Sequence, residues 1–333
     1  MEPLSKVIIN KDTKLNPIWI MRQAGRYLPE FREIRKLNPD FIKLCLNKEL
    51  SSKITLQPLQ RFDLDAAIIF SDILILPYGL DQKVEFKKNF GPILGNLDIK
   101  HMSKLNESYF LKKIHPVYEA IKKVSTDDLL KNKNTIGFVG APWTLLVYML
   151  NQQSPKKNLK KDFFTNNKLI TNILSILKKF LKIHIQNQII SGANIIQIFD
   201  SWAGLLEEKN LPDYIYFPTL ELVNFVKSLN VPVICFPRGI KNYKKYCEIV
   251  KPDAICIDYE VNPVEILKNV NIPIQGGMDP KILLTDKDNL KKETKRYLNI
   301  FKDHPYIFNL GHGVLPETDP MMMDYLVNMV KDY

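Results

Sequence analysis

The chain has 333 residues, of which 45% are hydrophobic, and its formal net charge at pH 7 is +11. This apolar content excludes a disordered chain, and no stretch approaches the ~18 uninterrupted apolar residues that a membrane-spanning helix needs. The first residues show no apolar run behind a basic head, so we expect no secretory signal and a cytoplasmic location.

Eight short β-branched and apolar runs, each ending at a turn, predict strands along the whole chain. They are residues 18–21, 66–70, 135–139, 194–199, 231–236, 254–257, 272–275 and 306–310. Helix-length stretches separate most of them, such as the apolar stripe from Leu169 to Ile185. This alternation predicts an α/β fold, a single (β/α)8 TIM-type barrel over residues 1–333. An open doubly wound sheet is the alternative, but no G-x-G-x-x-G or Walker motif supports it.

The spacing of these strands is uneven. The connections after the first and second predicted strands, residues 22–65 and 71–134, are longer than one helix and must carry extra structure. Within the second connection, residues 83–94 read as a hairpin. In the first, Leu28 and Pro29 predict the start of a helix with an apolar face of Phe31, Ile34 and Leu37.

The basic residues are distributed in two ways. Lysine supplies 40 of the 47 and is spread along the chain, so the positive charge does not indicate a nucleic-acid-binding groove. Arginine is clustered, because four of the seven lie within fourteen residues: Arg22, Arg26, Arg32 and Arg35. The four cysteines have no C-x-x-C spacing and no nearby histidine at metal spacing, so we expect reduced thiols and no metal site.

Polar residues follow the predicted strands where barrel enzymes carry their chemistry, at the carboxyl ends. These positions include Arg22, Gln23, Ala24, Gly25, Arg26, Asp72, Thr144, Tyr148, Ser201, Arg238 and His312. Several arginines suit a substrate with several acidic groups. Carboxylates are a better match than phosphates, because the basic density lies at the first strand and the motif contains no lysine.

Some of these residues also have a purely structural interpretation. Arg22 and Asp72 are candidates for a structural ion pair, and Asp72 is also a candidate cap for the turn at Ile73 and Leu74. Tyr148 lies in an apolar stretch typical of a core, and Ser201 is consistent with a turn residue. His312 lies between two glycines, which permit a close approach to a ligand.

Arg35 and Arg32 differ in their predicted positions on the first helix. Arg35 lies beside the apolar face and is a candidate outer substrate contact. Arg32 points away from that face and is predicted to be a surface charge.

The chain resembles the uroporphyrinogen decarboxylase family. The segment PIWIMRQAGRYLPEFR (residues 17–32) is similar to its N-terminal signature, and GFVGAPWT (137–144) is similar to its second. Shorter matches occur in family order at FSDIL (70–74), FDSWAG (199–204) and NLGHGV (309–314). The sixteen-residue first signature is the most specific of these.

The resemblance implies a (β/α)8 barrel, usually a homodimer, that acts in porphyrin biosynthesis. It implies removal of the four acetate carboxyls of uroporphyrinogen III to give coproporphyrinogen III, without cofactor or metal. By matching position, Arg22 and Asp72 would be catalytic. The remaining substrate contacts would be Gln23, Ala24, Gly25, Arg26, Arg35, Tyr148, Ser201 and His312.

Two rival functions are weighed against this one. A corrinoid- or thiol-linked methyltransferase would need a thiolate-bound zinc, but no cysteine lies near His312. A non-catalytic tetrapyrrole-binding or nucleic-acid-binding protein is the other. Nucleic-acid binding predicts aromatic residues interleaved with basic ones on a groove, and only the first signature approaches that pattern.

Overall fold

A parallel β-sheet orders the molecule. The computed structural model describes residues 1–87, 90–155, 159, 163–164 and 166–333. The strands in these ranges are β1 (Ala66–Ile68), β2 (Val84–Lys87), β3 (Gly91–Leu94), β4 (Asn134–Gly140), β5 (Ile195–Asp200), β6 (Val233–Pro237), β7 (Ala254–Ile257), β8 (Ile274–Gly276) and β9 (Tyr306–Ile307). Seven of them form one sheet in the order β1-β4-β5-β6-β7-β8-β9, and β2 pairs with β3 alone. Each neighbouring pair in the large sheet is parallel.

Helices fill the connections between these strands. They are α1 (Pro3–Asn10), α2 (Pro29–Leu37), α3 (Phe41–Cys45), α4 (Lys48–Arg61), α5 (Ile75–Gly79), α6 (Ile99–Met102), α7 (Glu107–Ser125), α8 (Pro142–Asn151), α9 (Asn167–Ile190), α10 (Phe217–Ser228), α11 (Tyr243–Val250), α12 (Pro263–Asn269), α13 (Lys287–Phe301) and α14 (Pro320–Lys331). The predicted stripe from Leu169 to Ile185 lies on α9, and the predicted helix start at Pro29 is that of α2. The predicted face of α2 is only partly correct, because Phe31 is buried whereas Leu37 is 80% exposed.

The sheet curls around a separate inner core. This inner core takes side chains from six strands, joined by Trp19, Met21 and three residues of α1. Ile234 and Phe236 of β6 belong to it, whereas Val233 and Cys235 of the same strand belong to the outer core beneath the helices. Because side chains alternate along a strand, these six strands supply both cores.

The predicted first strand, residues 18–21, is not a regular strand in the structure. Ile18 forms a single parallel bridge to Phe308. The N–H groups of Ile18, Ile20 and Met21 donate to side-chain oxygens instead of a neighbouring strand: Asp65 Oδ2 at 2.7 Å, Gln23 Oε1 at 3.1 Å and Asn309 Oδ1 at 2.9 Å. Backbone groups used in this way cannot extend a ladder.

The segment nevertheless joins both ends of the seven-stranded sheet. Phe308 N–H donates to the Pro17 carbonyl at 2.8 Å, next to β9, and Asp65 N–H donates to the Ile18 carbonyl at 2.8 Å, next to β1. Residues 17–18 therefore lie between the two edge strands.

The long connections carry extra structure. Residues 22–65 contain α2, α3 and α4, and the next connection contains α5, the β2–β3 hairpin, α6 and α7. The hairpin pairs Val84 with Leu94, and residues 88 and 89 of the predicted 83–94 hairpin lie outside the described residues. The Phe86 ring lies 4.6 Å from that of Phe41, which packs 5.7 Å from the Phe70 ring. The hairpin thus rests beside the segment that leads into Asp72.

Candidate active site

The loop that follows Met21 is anchored by residues that are distant in sequence. Met21 N–H donates to Asn309 Oδ1 at 2.9 Å, and its carbonyl accepts from Val314 N–H at 3.0 Å. Arg22 has a φ of 64°, in the left-handed region that residues other than glycine seldom occupy. These contacts tie the loop to the segment after β9 and fix the direction in which Arg22 leaves the backbone.

Gln23 supports the loop from inside. Its side chain is 1% exposed, Nε2 donates to the Ala66 carbonyl at 3.0 Å and Oε1 accepts from Ile20 N–H. Its own carbonyl accepts from the Tyr27 hydroxyl at 2.8 Å. Ala24 and Gly25 follow as partly exposed residues. The side-chain amide of Gln23 is therefore engaged by the protein.

The Arg22 side chain packs against a glycine. A Cβ on Gly313 would lie 2.3 Å from Arg22 Cδ, closer than two non-bonded carbon atoms can approach. Only a residue without a side chain leaves Arg22 its place here. The neighbouring His312 is thereby brought next to the guanidinium stem.

Arg22 is the electrostatic centre of the predicted site. Arg22 as a whole is exposed, but the protein atoms packed around its guanidinium desolvate that group and lower its pKa, and the nearby Asp72 and Tyr148 side chains oppose this effect. Arg26 and Arg238 lower that pKa further, because a second positive charge disfavours the first. Asp72, Tyr148 and Arg26, predicted from separate parts of the chain, therefore lie within electrostatic range of Arg22.

Asp72 carries a carboxylate with one oxygen available. Oδ1 accepts from Leu74 N–H at 2.8 Å, so the turn-capping interpretation is correct for that oxygen. Among the described residues Asp72 and Arg22 form no ion pair within 4.0 Å, and Oδ2 accepts no hydrogen bond. Burial raises the pKa of Asp72 to about 6, against the opposing effects of the Leu74 N–H and Arg22. The carboxylate is thus poorly solvated and not neutralised by a partner.

Tyr148 lies against the tryptophan that follows Ser201 in the chain. The half-buried Tyr148 of α8 places its ring 6.0 Å from the Trp202 ring in an edge-on arrangement. Ser201 immediately precedes Trp202. Burial raises the pKa of Tyr148, so its hydroxyl keeps its proton at neutral pH.

His312 is a neutral imidazole at neutral pH. Burial lowers its pKa to about 4, and the charges of Arg22 and Arg238 contribute in the same direction. His312 therefore offers a hydrogen-bonding group rather than a charge.

The two arginines of α2 both make contacts within the protein. Arg35 is half-buried, lies 5.5 Å above the Phe41 ring and shares the neighbourhood of Cys45 with Asp72. Arg32 is exposed as predicted, but its guanidinium donates to the carbonyls of Arg26 and Tyr27, each at 2.9 Å. Arg32 therefore also holds the end of the loop.

Sequence reasoning missed a buried polar pair beneath the rim. Thr144 Oγ1 donates to Asp200 Oδ1 at 2.6 Å and accepts from Trp202 N–H at 3.1 Å. Burial raises the pKa of Asp200 to about 7. Thr144 lies in the motif GFVGAPWT and Asp200 in the motif FDSWAG. A motif does not distinguish a residue that supports the site from one that contacts substrate.

Neither a cluster of metal ligands nor a helix able to span a membrane occurs in the described residues. Within the described ranges, no three His, Cys, Asp or Glu side chains converge as metal ligands would. Across the same residues, no helix is both long and apolar enough to cross a membrane. All four cysteines are free thiols.

The fold and the site define a class of protein. Arg22, Arg26 and Arg238 gather near a carboxylate of raised pKa at the carboxyl edge of a curled parallel sheet. A group of arginines around such a carboxylate is typical of α/β enzymes that act on small molecules with several negative charges.

Comparisons with known proteins identify the family. Residues 1–333 match the uroporphyrinogen decarboxylase (URO-D) family model. The uroporphyrinogen decarboxylase of Rickettsia bellii (strain RML369-C) is 41% identical over 340 residues, which covers 100% of this chain and 99% of that protein. That of Rickettsia felis (strain ATCC VR-1525 / URRWXCal2) is 38% identical, covering 98% and 97%. The chain belongs to the uroporphyrinogen decarboxylase family.

The fold resembles that of a solved methyltransferase. A methyltransferase from Methanosarcina mazei superimposes with a TM-score of 0.79 at 15% identity, covering 99% of this chain and 97% of that one. At this identity the likeness concerns the architecture of the chain.

Proposed function

We propose that the chain removes the four acetate carboxyls of uroporphyrinogen III and gives coproporphyrinogen III, in porphyrin biosynthesis and without a cofactor. The observation that carries the proposal is the placement of Asp72, a carboxylate with one unused oxygen within electrostatic range of the unpaired Arg22. Family membership over the whole chain supports the substrate and the reaction.

Asp72 stabilises the positive charge that develops on the ring. Loss of CO2 from a pyrrole acetate leaves an electron pair that needs an acceptor, and protonation of the ring carbon supplies an iminium-like one. A carboxylate that accepts pyrrole N–H bonds favours this cation, and the burial that raises the pKa of Asp72 also strengthens the interaction. The free Oδ2 is the atom that accepts these bonds.

Arg22 is the proton donor in this proposal. Arginine is a weak acid in water, but desolvation of the guanidinium lowers the pKa of Arg22, which is the direction that favours proton transfer. His312 is unsuited to the role because its pKa of about 4 leaves it neutral at pH 7. Tyr148 keeps its proton and is suited to a hydrogen bond or a relay.

The remaining predicted residues bind substrate or hold the loop that does so. Arg26 and Arg35 contact side-chain carboxylates, and Ser201 and His312 complete the walls of the cleft. Gln23, Ala24 and Gly25 form the loop between Arg22 and Arg26. The side-chain amide of Gln23 bonds to the protein backbone, which supports a role in positioning this loop.

The proposal extends to the architecture. Residues 17–18 take the place of the first strand and close the sheet into one (β/α)8 barrel over residues 1–333, which their hydrogen bonds to Phe308 and Asp65 support. The protein is further proposed to be a cytoplasmic homodimer. Light scattering on purified protein tests the dimer, and a monomer mass would contradict it.

Turnover by variants tests the chemistry. Under anaerobic conditions the wild-type protein should convert uroporphyrinogen, with products separated by chromatography. Arg22→Lys should lower kcat by roughly 100-fold or more, because the shorter, forkless lysine places its proton away from the position that the guanidinium occupies. His312→Asn should retain far more activity. Full activity of Arg22→Lys would contradict the assignment of the donor.

A further inference from the structure

The seven arginines fall into two groups. In four of them the guanidinium bonds to another group of the protein. Arg61 and Arg296 form ion pairs, and Arg32 and Arg35 donate to backbone carbonyls. In the described part of the chain, the guanidinium groups of Arg22, Arg26 and Arg238 have no ion pair within 4.0 Å and no hydrogen bond. Arg22 and Arg26 belong to the first signature, whereas Arg238 stands alone after β6.

Arg238 is held on the rim beside Ser201. In the register of β5 and β6, Asp200 lies opposite Pro237, so Ser201 and Arg238 follow the two strands as neighbours. Arg238 N–H donates to the Asp200 carbonyl at 3.1 Å, and its own carbonyl accepts from Gly204 N–H at 3.0 Å. Its backbone is therefore fixed at two points, and the half-buried side chain begins from a defined position.

The side chain of Arg238 lies near the reacting groups. Its charge lowers the pKa of both Arg22 and His312, so it is within electrostatic range of each. Two guanidinium groups that lack ion-pair partners repel each other, and a bound anion offsets that repulsion. The planar fork of an arginine matches a carboxylate with two parallel hydrogen bonds.

We propose that Arg238 is a further substrate-binding residue, whose guanidinium holds a propionate carboxylate of the tetrapyrrole on the β6 side of the cleft. The proposal rests on the decarboxylase activity proposed above. A propionate is favoured over an acetate because a cation that stabilises a carboxylate also opposes its loss as CO2. Arg238 therefore suits a group that both substrate and product retain.

Arg238→Gln and Arg238→Lys test this role, with Arg296→Gln as the matched control. Arg296 is a surface residue paired with Glu293, so its replacement should leave the kinetics unchanged. For Arg238→Gln, the KM for uroporphyrinogen and the inhibition constant of coproporphyrinogen should both rise by roughly 10- to 100-fold, with kcat within about threefold of wild type. Arg238→Lys should show a smaller rise in both constants.

Two other kinetic outcomes would overturn the role of Arg238. Unchanged constants would overturn the proposal, and so would a rise in KM with an unchanged inhibition constant, because that pattern places Arg238 on an acetate. If Arg238→Gln does not fold, Arg238→Lys decides in the same way, since it keeps the charge and loses the fork. A wild-type protein without turnover would instead refute the proposed function, so the two failures are distinguishable.

Discussion

Replacing Asp72 with asparagine should stabilise the protein while it abolishes most activity. Burial raises the pKa of this carboxyl from an ordinary value of 3.8 to about 6, so ionising it costs the folded state up to about 3 kcal/mol. The cost is absent below pH 4, appears between pH 4 and 6, and is fully present above pH 6. Asparagine does not titrate, and its Oδ1 can still accept from Leu74 N–H.

Urea unfolding of wild type and Asp72→Asn at pH 4, 6 and 8 measures this effect. The variant should gain about 1–3 kcal/mol of unfolding free energy at pH 8 and much less at pH 4. Asp303→Asn is the control, because that side chain is 89% exposed and its replacement should change little. A stability difference that is the same at pH 4 and pH 8 would refute the reasoning. The kcat of Asp72→Asn should fall by roughly 100-fold or more.

Three further predictions concern the same rim. Below pH 6 the kcat/KM of wild type should fall by about tenfold per pH unit, because Asp72 must be ionised to accept pyrrole N–H bonds; a profile that stays flat to pH 5 contradicts this. Gly313→Ala should lower kcat by roughly 10- to 100-fold with an unchanged circular dichroism spectrum, since its Cβ would displace Arg22, and full activity would argue against that contact. Thr144→Val should lower the unfolding free energy by about 1–3 kcal/mol in urea, because buried Asp200 loses its hydrogen-bond donor; an unchanged midpoint contradicts this role.

Much of the fold could be predicted from local pattern. Buried parallel strands are short β-branched runs, and seven of the eight predicted runs contain a strand of the sheet. Residues 18–21 have the same composition, but Ile18, Ile20 and Met21 donate their N–H groups to side chains, two of which, Asp65 and Asn309, lie far away in sequence. Periodicity carries no information about such contacts, so this difference could not be predicted.

Candidate site residues could be picked out from the sequence where they cluster. Arg22 and Arg26 stand out because arginines are rare in this chain and gather in one segment. Arg238 is a single arginine between a strand and a glycine, and only the register of β5 and β6 shows that it neighbours Ser201. Likewise, the sequence does not reveal that Gly313 gives space to Arg22, because that contact joins opposite ends of the chain.

The central claim is that this cleft decarboxylates a tetrapyrrole with its own side chains. The most direct measurement is anaerobic incubation of dialysed, EDTA-treated protein with uroporphyrinogen III, followed by chromatographic counting of the carboxyl groups on the product. We predict a product with four carboxyl groups, identical to coproporphyrinogen III, and very little of it from Asp72→Asn. Unchanged substrate, or turnover that returns only when a metal or cofactor is added, would contradict the account.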